Sequence, residues 1–304
     1  MKAAIENTYP LMKHTPSSFP QKYQKEIDLL IQNALAEDIG PGDFSALSCL
    51  PSEEVSKAQL LVKADCVLAG VAMAARICEL YDPRLELHMV FLDGALVSSG
   101  SVGLELTGPS ISILGVERLL LNALQRMSGI ATRTREWQSL IAHTSCKVLD
   151  TRKTTPNFRV AEKWAVAIGG GENHRMGLYD MVMLKDNHID FCGGVAQAIS
   201  RTQAYLKTHH KLLPIVVECR DLEEVQSCLS VGGIDRLLLD NMSPEKLKEA
   251  IKLIGGRLPT EASGNITKET IVAVAETGVD YISMGALTYN VPIIDMSLKA
   301  VSHS

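Results

Sequence analysis

No stretch of this sequence comes near the roughly 20 consecutive apolar residues that a bilayer-crossing helix needs. The first twenty, Met1 to Pro20, hold no apolar segment of the kind a secretory signal carries. Neither a membrane protein nor a secreted one is expected. An organellar transit peptide is not expected either, because the hydroxyl residues between Thr15 and Ser18 come without arginine and with Glu6 nearby. Paired cysteines are missing too. Cys49, Cys66, Cys78, Cys146, Cys192, Cys219 and Cys228 are an odd, scattered set with no C-x-x-C spacing, which argues against a disulfide framework or a zinc site and fits a reducing cytoplasm. Positive charge is also not in excess. With 30 Lys and Arg against 35 Asp and Glu, the formal net charge is −5, so a broad nucleic-acid or anionic-membrane surface is not expected. Any anion must be bound locally. Repeats of solenoid type are absent.

What is present is an ordinary globular composition, 46% hydrophobic and 21% charged, over 304 residues. That length suits one α/β barrel with a smaller domain. From Gln24 to Leu35, the residues Ile27, Leu30, Ile31, Ala34 and Leu35 form one helical stripe, and Gly40-Pro41-Gly42 supplies a stop. Between Ala58 and Gly108, β-favouring runs (Gln59 to Val62, Glu86 to Phe91, Val102 to Leu106) flank a helix over Val71 to Tyr81, as in a small α+β domain. A long helix follows from about Ser112 to His143, with a break expected at Ser128-Gly129. Beyond Cys146 the pattern becomes short apolar runs alternating with helices. The runs are Lys147 to Leu149, Met181 to Leu184, Ile215 to Val217, Arg236 to Leu239, Leu258 to Thr260 and Tyr281 to Ser283. Such runs suit strands of a parallel sheet covered on both faces. Asp221 with Glu224, Ser243-Pro244 and Thr267 mark starts of the intervening helices.

In α/β barrels the loops after the strands build the active site. Here those positions hold Asp150-Thr151-Arg152-Lys153, Lys185-Asp186-Asn187-His188, Glu218, Asp240-Asn241, Glu261-Ala262-Ser263-Gly264-Asn265 and Met284-Gly285-Ala286. The Gly169-Gly170-Gly171-Glu172-Asn173-His174-Arg175 segment brings two more cations toward Arg152 and Lys153 if the barrel closes. Cations crowded in a partly buried mouth repel one another, and an acidic ligand relieves that repulsion. The competing reading is a structural network in which Asp150 and Asp186 neutralise the arginines. Ser263-Gly264-Asn265 and Gly285-Ala286 offer backbone amides to a phosphate, the first with help from the helix that follows. Glu218 and Asp240 can accept from sugar hydroxyls or hold a hydrated divalent cation. The cysteines read as small buried hydrophobes.

At this point the residues become specific. Asp150-Thr151-Arg152-Lys153-Thr154-Thr155-Pro156, Gly169 through Leu178, and Lys185-Asp186-Asn187-His188 closely resemble the quinolinate phosphoribosyltransferase family. The likeness runs from Ala36-Glu37-Asp38-Ile39-Gly40-Pro41-Gly42-Asp43, through Glu117-Arg118 and Ser128-Gly129-Ile130-Ala131-Thr132, to Gly278-Val279-Asp280-Tyr281 and Gly285-Ala286-Leu287-Thr288. It implies an incomplete α/β barrel over residues 126–289. Joined to it is an N-terminal α/β sandwich over 1–125, completed by the C-terminal segment 290–304. It implies transfer of a phosphoribosyl group from phosphoribosyl pyrophosphate to quinolinate with loss of CO2, in NAD biosynthesis, with Mg2+. By the same resemblance Thr151, Arg152, Lys153, His174, Arg175 and Lys185 hold quinolinate, and Arg118 reaches in from the partner of a homodimer or higher oligomer. Glu218, Asp240, Ser263, Gly264, Asn265, Met284, Gly285 and Ala286 face the phosphoribosyl group. Lys153, Lys185, Glu218 and Asp240 are the implied catalytic residues, and Glu218 and Asp240 the implied metal contacts, through water or substrate.

Two positions depart from the family pattern: Val216 stands where an acidic residue is common, and Tyr289 where a histidine is. Three rivals stay open at this level. One is the related phosphoribosyltransferase-like protein of molybdenum-transport operons. Another is a Schiff-base lyase using Lys185. The third is a noncatalytic anion sensor.

Overall fold

A computed structural model describes residues 18–301. The signal and transit-peptide readings rest mainly on residues 1–17, which lie outside the described residues, as do 302–304 of the C-terminal segment. The chain opens with α1 (Phe19–Lys22) and α2 (Gln24–Asp38), and α2 buries Ile27, Leu30 and Ile31 as the stripe predicts. A third helix, α3 (Phe44–Cys49), is capped by Asp43, whose carboxylate accepts from the amides of Ser45 and Ala46.

Next comes the small domain's sheet. Strand β1 (Val55–Val62) buries Ala58, Leu60 and Val62 on one face. A ribbon of β2 (Cys66–Val67) and β4 (Leu96–Val97) brackets α4 (Val71–Tyr81) and β3 (Glu86–Met89), and β5 (Val102–Pro109) follows. The last strand of the chain, β12 (Met296–Ala300), returns to this domain, and the antiparallel order is β12-β1-β5-β3. α4 and α5 (Ser110–Leu140) pack with this sheet.

The break expected in α5 does not occur: the helix runs unbroken through Ser128 and Gly129. Both residues serve packing instead. Any side chain at Gly129 would collide with the Pro292 carbonyl, so the glycine lets the segment leading to β12 cross the helix at close range. The Ser128 hydroxyl accepts from the Ala69 amide at 3.0 Å and donates to the Ala69 carbonyl. A helix-weakening residue that makes tertiary contacts is tolerated, because packing outweighs a propensity of about 1 kcal/mol.

Six strands then alternate with helices: β6 (Lys147–Leu149), α6 (Arg159–Ile168), β7 (Val182–Leu184), α7 (Asp186–Cys192), α8 (Val195–Thr208), β8 (Ile215–Cys219), α9 (Leu222–Val231), β9 (Arg236–Asp240), α10 (Pro244–Ile254), β10 (Thr260–Ser263), α11 (Ile271–Ala275) and β11 (Tyr281–Ser283). A 3₁₀ turn, Gly285–Leu287, follows. The strands are all parallel in the order β6-β11-β10-β9-β8-β7. The curl stays open between β6 and β7, so this is the incomplete form of an α/β barrel. A single bridge from Leu149 to Glu172 lets the glycine-rich loop lie along the exposed edge of β6. Val217, Leu237, Leu239 and Ile282 have no exposed surface. Burying each such side chain contributes about 1.5–3 kcal/mol.

Several boundaries differ from expectation: Glu218 and Asp240, read as following their strands, lie within β8 and β9. β10 begins at Thr260 and extends to Ser263, which places Glu261 within the strand rather than after it. Its charge hides the strand in an apolar-run reading. α11 starts only at Ile271, because Thr267 and Thr270 close a turn between themselves, with the Thr267 amide donating to Thr270 Oγ1 at 2.9 Å. Asp221 and Ser243 cap α9 and α10 as read, although Glu224 takes the Arg220 amide instead of the cap residue's own.

Candidate active site

Residues that hydrogen-bond across neighbouring parallel strands share a face. Arg236 donates to Glu261, and Ser263 donates to Asp240, so alternate residues of β9 and β10 line the inside of the curl. Glu218 faces it from β8, within the field of Asp240.

The glycine-rich loop is held in place from within. Asp150, at the end of β6 and fully buried, pairs with the equally buried Lys163 of α6. It also accepts from Asn173 Nδ2 at 2.6 Å and from the His174 amide at 2.8 Å, while Lys163 reaches the His174 carbonyl at 3.1 Å. Burial pushes the Asp150 carboxyl up and the Lys163 ammonium down, and their pairing opposes both shifts. One buried ion pair therefore locks the two cation-bearing segments, 151–153 and 173–175, together. Sequence reading missed Lys163. It lies in a helix with no strand-end signal, and only the amphipathic stripe of α6, which buries it, hints at its role.

Of the cations, Arg152 and Arg175 act on one another. Arg175 is buried and donates to the Met181 carbonyl at 3.1 Å. Burial first, and then the charge of Arg152, lower its pKa, with Asp180 opposing. Asp150 is taken up by Lys163, and Asp186 only by the Asn187 amide. Neither neutralises the arginines, so the competing structural network is not what the side chains form. Lys185 Nζ stands 3.3 Å from Glu218 Oε2. Glu218 is pushed up by burial and by Asp240, against the pull of Lys185. His188, the other histidine of the mouth, accepts from the Lys185 amide and caps α7.

The ends of β9 and β10 are joined by side-chain hydrogen bonds. Asp240 accepts from Ser263 Oγ at 2.6 Å and from Asn241 Nδ2 at 2.6 Å, and Asn265 Nδ2 donates to Asn241 Oδ1 at 3.1 Å. Asn241 and Asn265 both sit in the left-handed region, with φ of 53° and 51°. Non-glycine residues there carry strain that the surroundings must hold, and such positions cluster at functional sites. Gly264, at φ 91°, leaves no room for a Cβ against Asn241. The expected help from a helix N-terminus is not realised, since α11 begins six residues after Asn265. Just after β11, Met284 is buried, its amide bonded to the Leu149 carbonyl at 3.1 Å. Lys153 and the ring of Tyr289 lie against Gly285, and Thr288 Oγ1 donates to the Lys153 carbonyl at 2.8 Å. Ala286 is half-buried in the same turn, and Thr151 Oγ1 accepts from the Lys153 amide. Arg118 stands apart, exposed on α5, and is not among the contacts of these groups within the described residues.

Residues 43–128 match the family model described as the N-terminal domain of quinolinate phosphoribosyl transferase, and residues 130–299 match that of its C-terminal domain. The chain belongs to the quinolinate phosphoribosyltransferase family. It is 42% identical over 299 residues to the chloroplastic nicotinate-nucleotide pyrophosphorylase (carboxylating) of Oryza sativa subsp. japonica, covering 93% of this chain and 80% of that one. It is 43% identical over 299 residues to the mitochondrial quinolinate phosphoribosyltransferase (decarboxylating) 2 of Nicotiana glauca, covering 93% and 84%. Among solved structures, the nicotinate-nucleotide pyrophosphorylase of Francisella tularensis superposes with a TM-score of 0.84 at 36% identity, over 91% of this chain and 96% of that one. The two quinolinate phosphoribosyltransferase models meet inside α5, the helix that crosses from one domain to the other.

Proposed function

We propose that this chain transfers a phosphoribosyl group from phosphoribosyl pyrophosphate to quinolinate, releasing pyrophosphate and CO2 and giving nicotinate mononucleotide for NAD biosynthesis. The observation that carries the reading is the pairing of a buried Arg175 with the adjacent charge of Arg152 at the end of β6. The positive charge of Arg152 acts on the buried Arg175, and a dicarboxylate offsets both with bidentate hydrogen bonds. Lys153 and Lys185 complete the acid pocket and turn the ring nitrogen toward the sugar C1, with His174 supporting Arg175 through its amide. The nitrogen's lone pair forms the new bond to C1 as the bond to pyrophosphate breaks. Glu218 and Asp240 hold the ribose hydroxyls while C1 carries positive charge. The amides of Ser263 to Asn265 and Met284 to Ala286 take the phosphate groups. When the 2-carboxylate then departs as CO2, its bonding pair stays on C2, where the adjacent positive pyridinium nitrogen stabilises it until a proton takes that position. Lys185 suits this role better than that of a Schiff-base amine, for its ammonium is half-exposed and paired with Glu218 rather than shut in an apolar pocket.

The residues suit Mg2+ in a particular way. Among the described residues no group of three or more protein ligands is close enough to cage a metal. Glu218 and Asp240 are two neighbouring hard carboxylates, a donor set that suits a hydrated ion held mainly through substrate oxygens. Bound that way, Mg2+ supplies neutralising charge for the pyrophosphate that leaves.

A homodimer with Arg118 donated across the interface is part of the proposal, supported by the exposure of Arg118 on α5. No helix among the described residues is long and apolar enough to cross a membrane. Cytoplasmic residence is also proposed, and a fluorescent fusion concentrated in an organelle of the native cell would overturn it.

Product formation tests the assignment. Arg152→Ala should lose about 10- to 100-fold in kcat/KM for quinolinate, the worth of one charge-assisted contact. An unaffected variant removes Arg152 from the acid pocket. Mixing the weakened Arg118→Ala and Arg152→Ala chains should raise activity above that of either alone through hybrid sites, and no gain would overturn the shared site.

A further inference from the structure

Beneath the cation cluster, His174 and Glu261 meet inside the curl, both buried, with His174 Nε2 3.2 Å from Glu261 Oε2. The other ring nitrogen of His174, Nδ1, accepts the backbone N–H of Arg175 at 2.7 Å. A nitrogen that accepts carries no hydrogen, so the imidazole proton belongs on Nε2, toward the carboxylate. Glu261 is itself fixed: Arg236 Nη1 donates to the same Oε2 at 3.0 Å, and the Arg236 guanidinium lies over the Tyr281 ring at 4.2 Å. Burial raises the Glu261 carboxyl, but His174, Ser283 and Arg236 outweigh it and hold the group below the ordinary carboxylate range. Two polar atoms at this junction, His174 Nε2 and Glu261 Oε1, are buried with no hydrogen-bond partner. Such atoms call for a functional reason. Glu261 Oε2, 3.2 Å from His174 Nε2, is an acceptor within reach of it, while Glu261 Oε1 stays without a partner.

We infer that Glu261 is a positioning residue for the acidic substrate: its carboxylate keeps the His174 proton on Nε2, which leaves Nδ1 free to hold the Arg175 amide and so aims the Arg175 guanidinium into the acid pocket. Glu261 touches no substrate in this scheme. It acts from below, through His174, on a side chain that does. The charges that bear on His174 are Glu261 and Arg236 on the strand side, Asp150 and Lys163 on its own backbone groups, and Arg175 with Arg152 above. Among them Glu261 is the carboxylate facing the ring, while Asp150 takes the main-chain amide. The inference rests on the proposed function only in taking Arg175 as a contact of quinolinate.

The test pairs a spectroscopic readout with steady-state kinetics on the full-length protein. Histidine side chains labelled with ¹⁵N, with His174 assigned by the resonance lost in His174→Asn, should show Nε2–H and a bare Nδ1 in the wild type at neutral pH. Glu261→Gln should give mixed tautomers and raise KM for quinolinate about tenfold or more, the worth of one charged hydrogen bond, with kcat and the phosphoribosyl pyrophosphate KM unaltered. A wild-type His174 protonated on Nδ1 overturns the inference whether or not the variant folds. So does a variant whose His174 spectrum matches the wild type, or one in which both KM values and kcat fall together. Absence of any quinolinate-dependent turnover in the wild type would instead sink the functional reading, and the tautomer would still be measured.

Discussion

Glu218 shows what a single buried carboxylate costs and what it is kept for. Burial raises its pKa above the ordinary value of 4.5, with Asp240 adding to the shift and Lys185 opposing it. A carboxyl whose pKa is raised on folding favours the folded state most when protonated. That contribution is full below the unfolded value and is lost as pH rises through the raised one. At pH 8 Glu218 is therefore a burden on stability. Glu218→Gln should melt no lower than wild type at pH 8, and higher if Lys185 turns to solvent, while losing most phosphoribosyl transfer. Thermal scans at pH 4 and pH 8 check this, since the variant's relative advantage should shrink at the acid end. A variant that melts well below wild type at pH 8 contradicts the account of Glu218. The left-handed Asn241 and Asn265 make the same point without charge, because their strain is held by a chain of hydrogen bonds running to Asp240.

At the scale of elements, β6, the glycine-rich loop and α6 act as one unit through Asp150 and Lys163. Removing one partner of a buried pair leaves the other uncompensated, at about 3–5 kcal/mol. Lys163→Met should lose stability on that order in urea unfolding, and Asp150→Asn with Lys163→Met should recover part of it. If the double variant is as unstable as the sum of the singles, the two residues are not a coupled pair. Elements with a clear period were legible from sequence. α4 was placed residue for residue, and five of the strand runs fall on real strands because an alternation of apolar run and helix leaves little choice of architecture. Elements whose residues answer to distant contacts were not. Gly129 reads as a helix breaker until Pro292 is seen against it, and Glu261 reads as a strand end until Arg236 is seen to pair with it and His174 to stand beside it. The polar ring at the strand ends could be read locally. Lys163 and the roles of Arg236 and Tyr281 could not, since their partners lie on other elements.

At the scale of the whole molecule, α5 and β12 tie the two domains together. α5 passes from one domain into the other, and β12 leaves the barrel side to become an edge of the N-terminal sheet. Gln125 on α5 donates to the Met296 carbonyl where they meet. On the proposed function, the cations at the strand ends serve a doubly acidic substrate. Quinolinate labelled with ¹⁴C in its 2-carboxyl group tests that function directly. Labelled CO2 should appear only when phosphoribosyl pyrophosphate is also present, in equal amount to nicotinate mononucleotide. Release without the donor, or nucleotide formed with the label retained, would contradict the assignment.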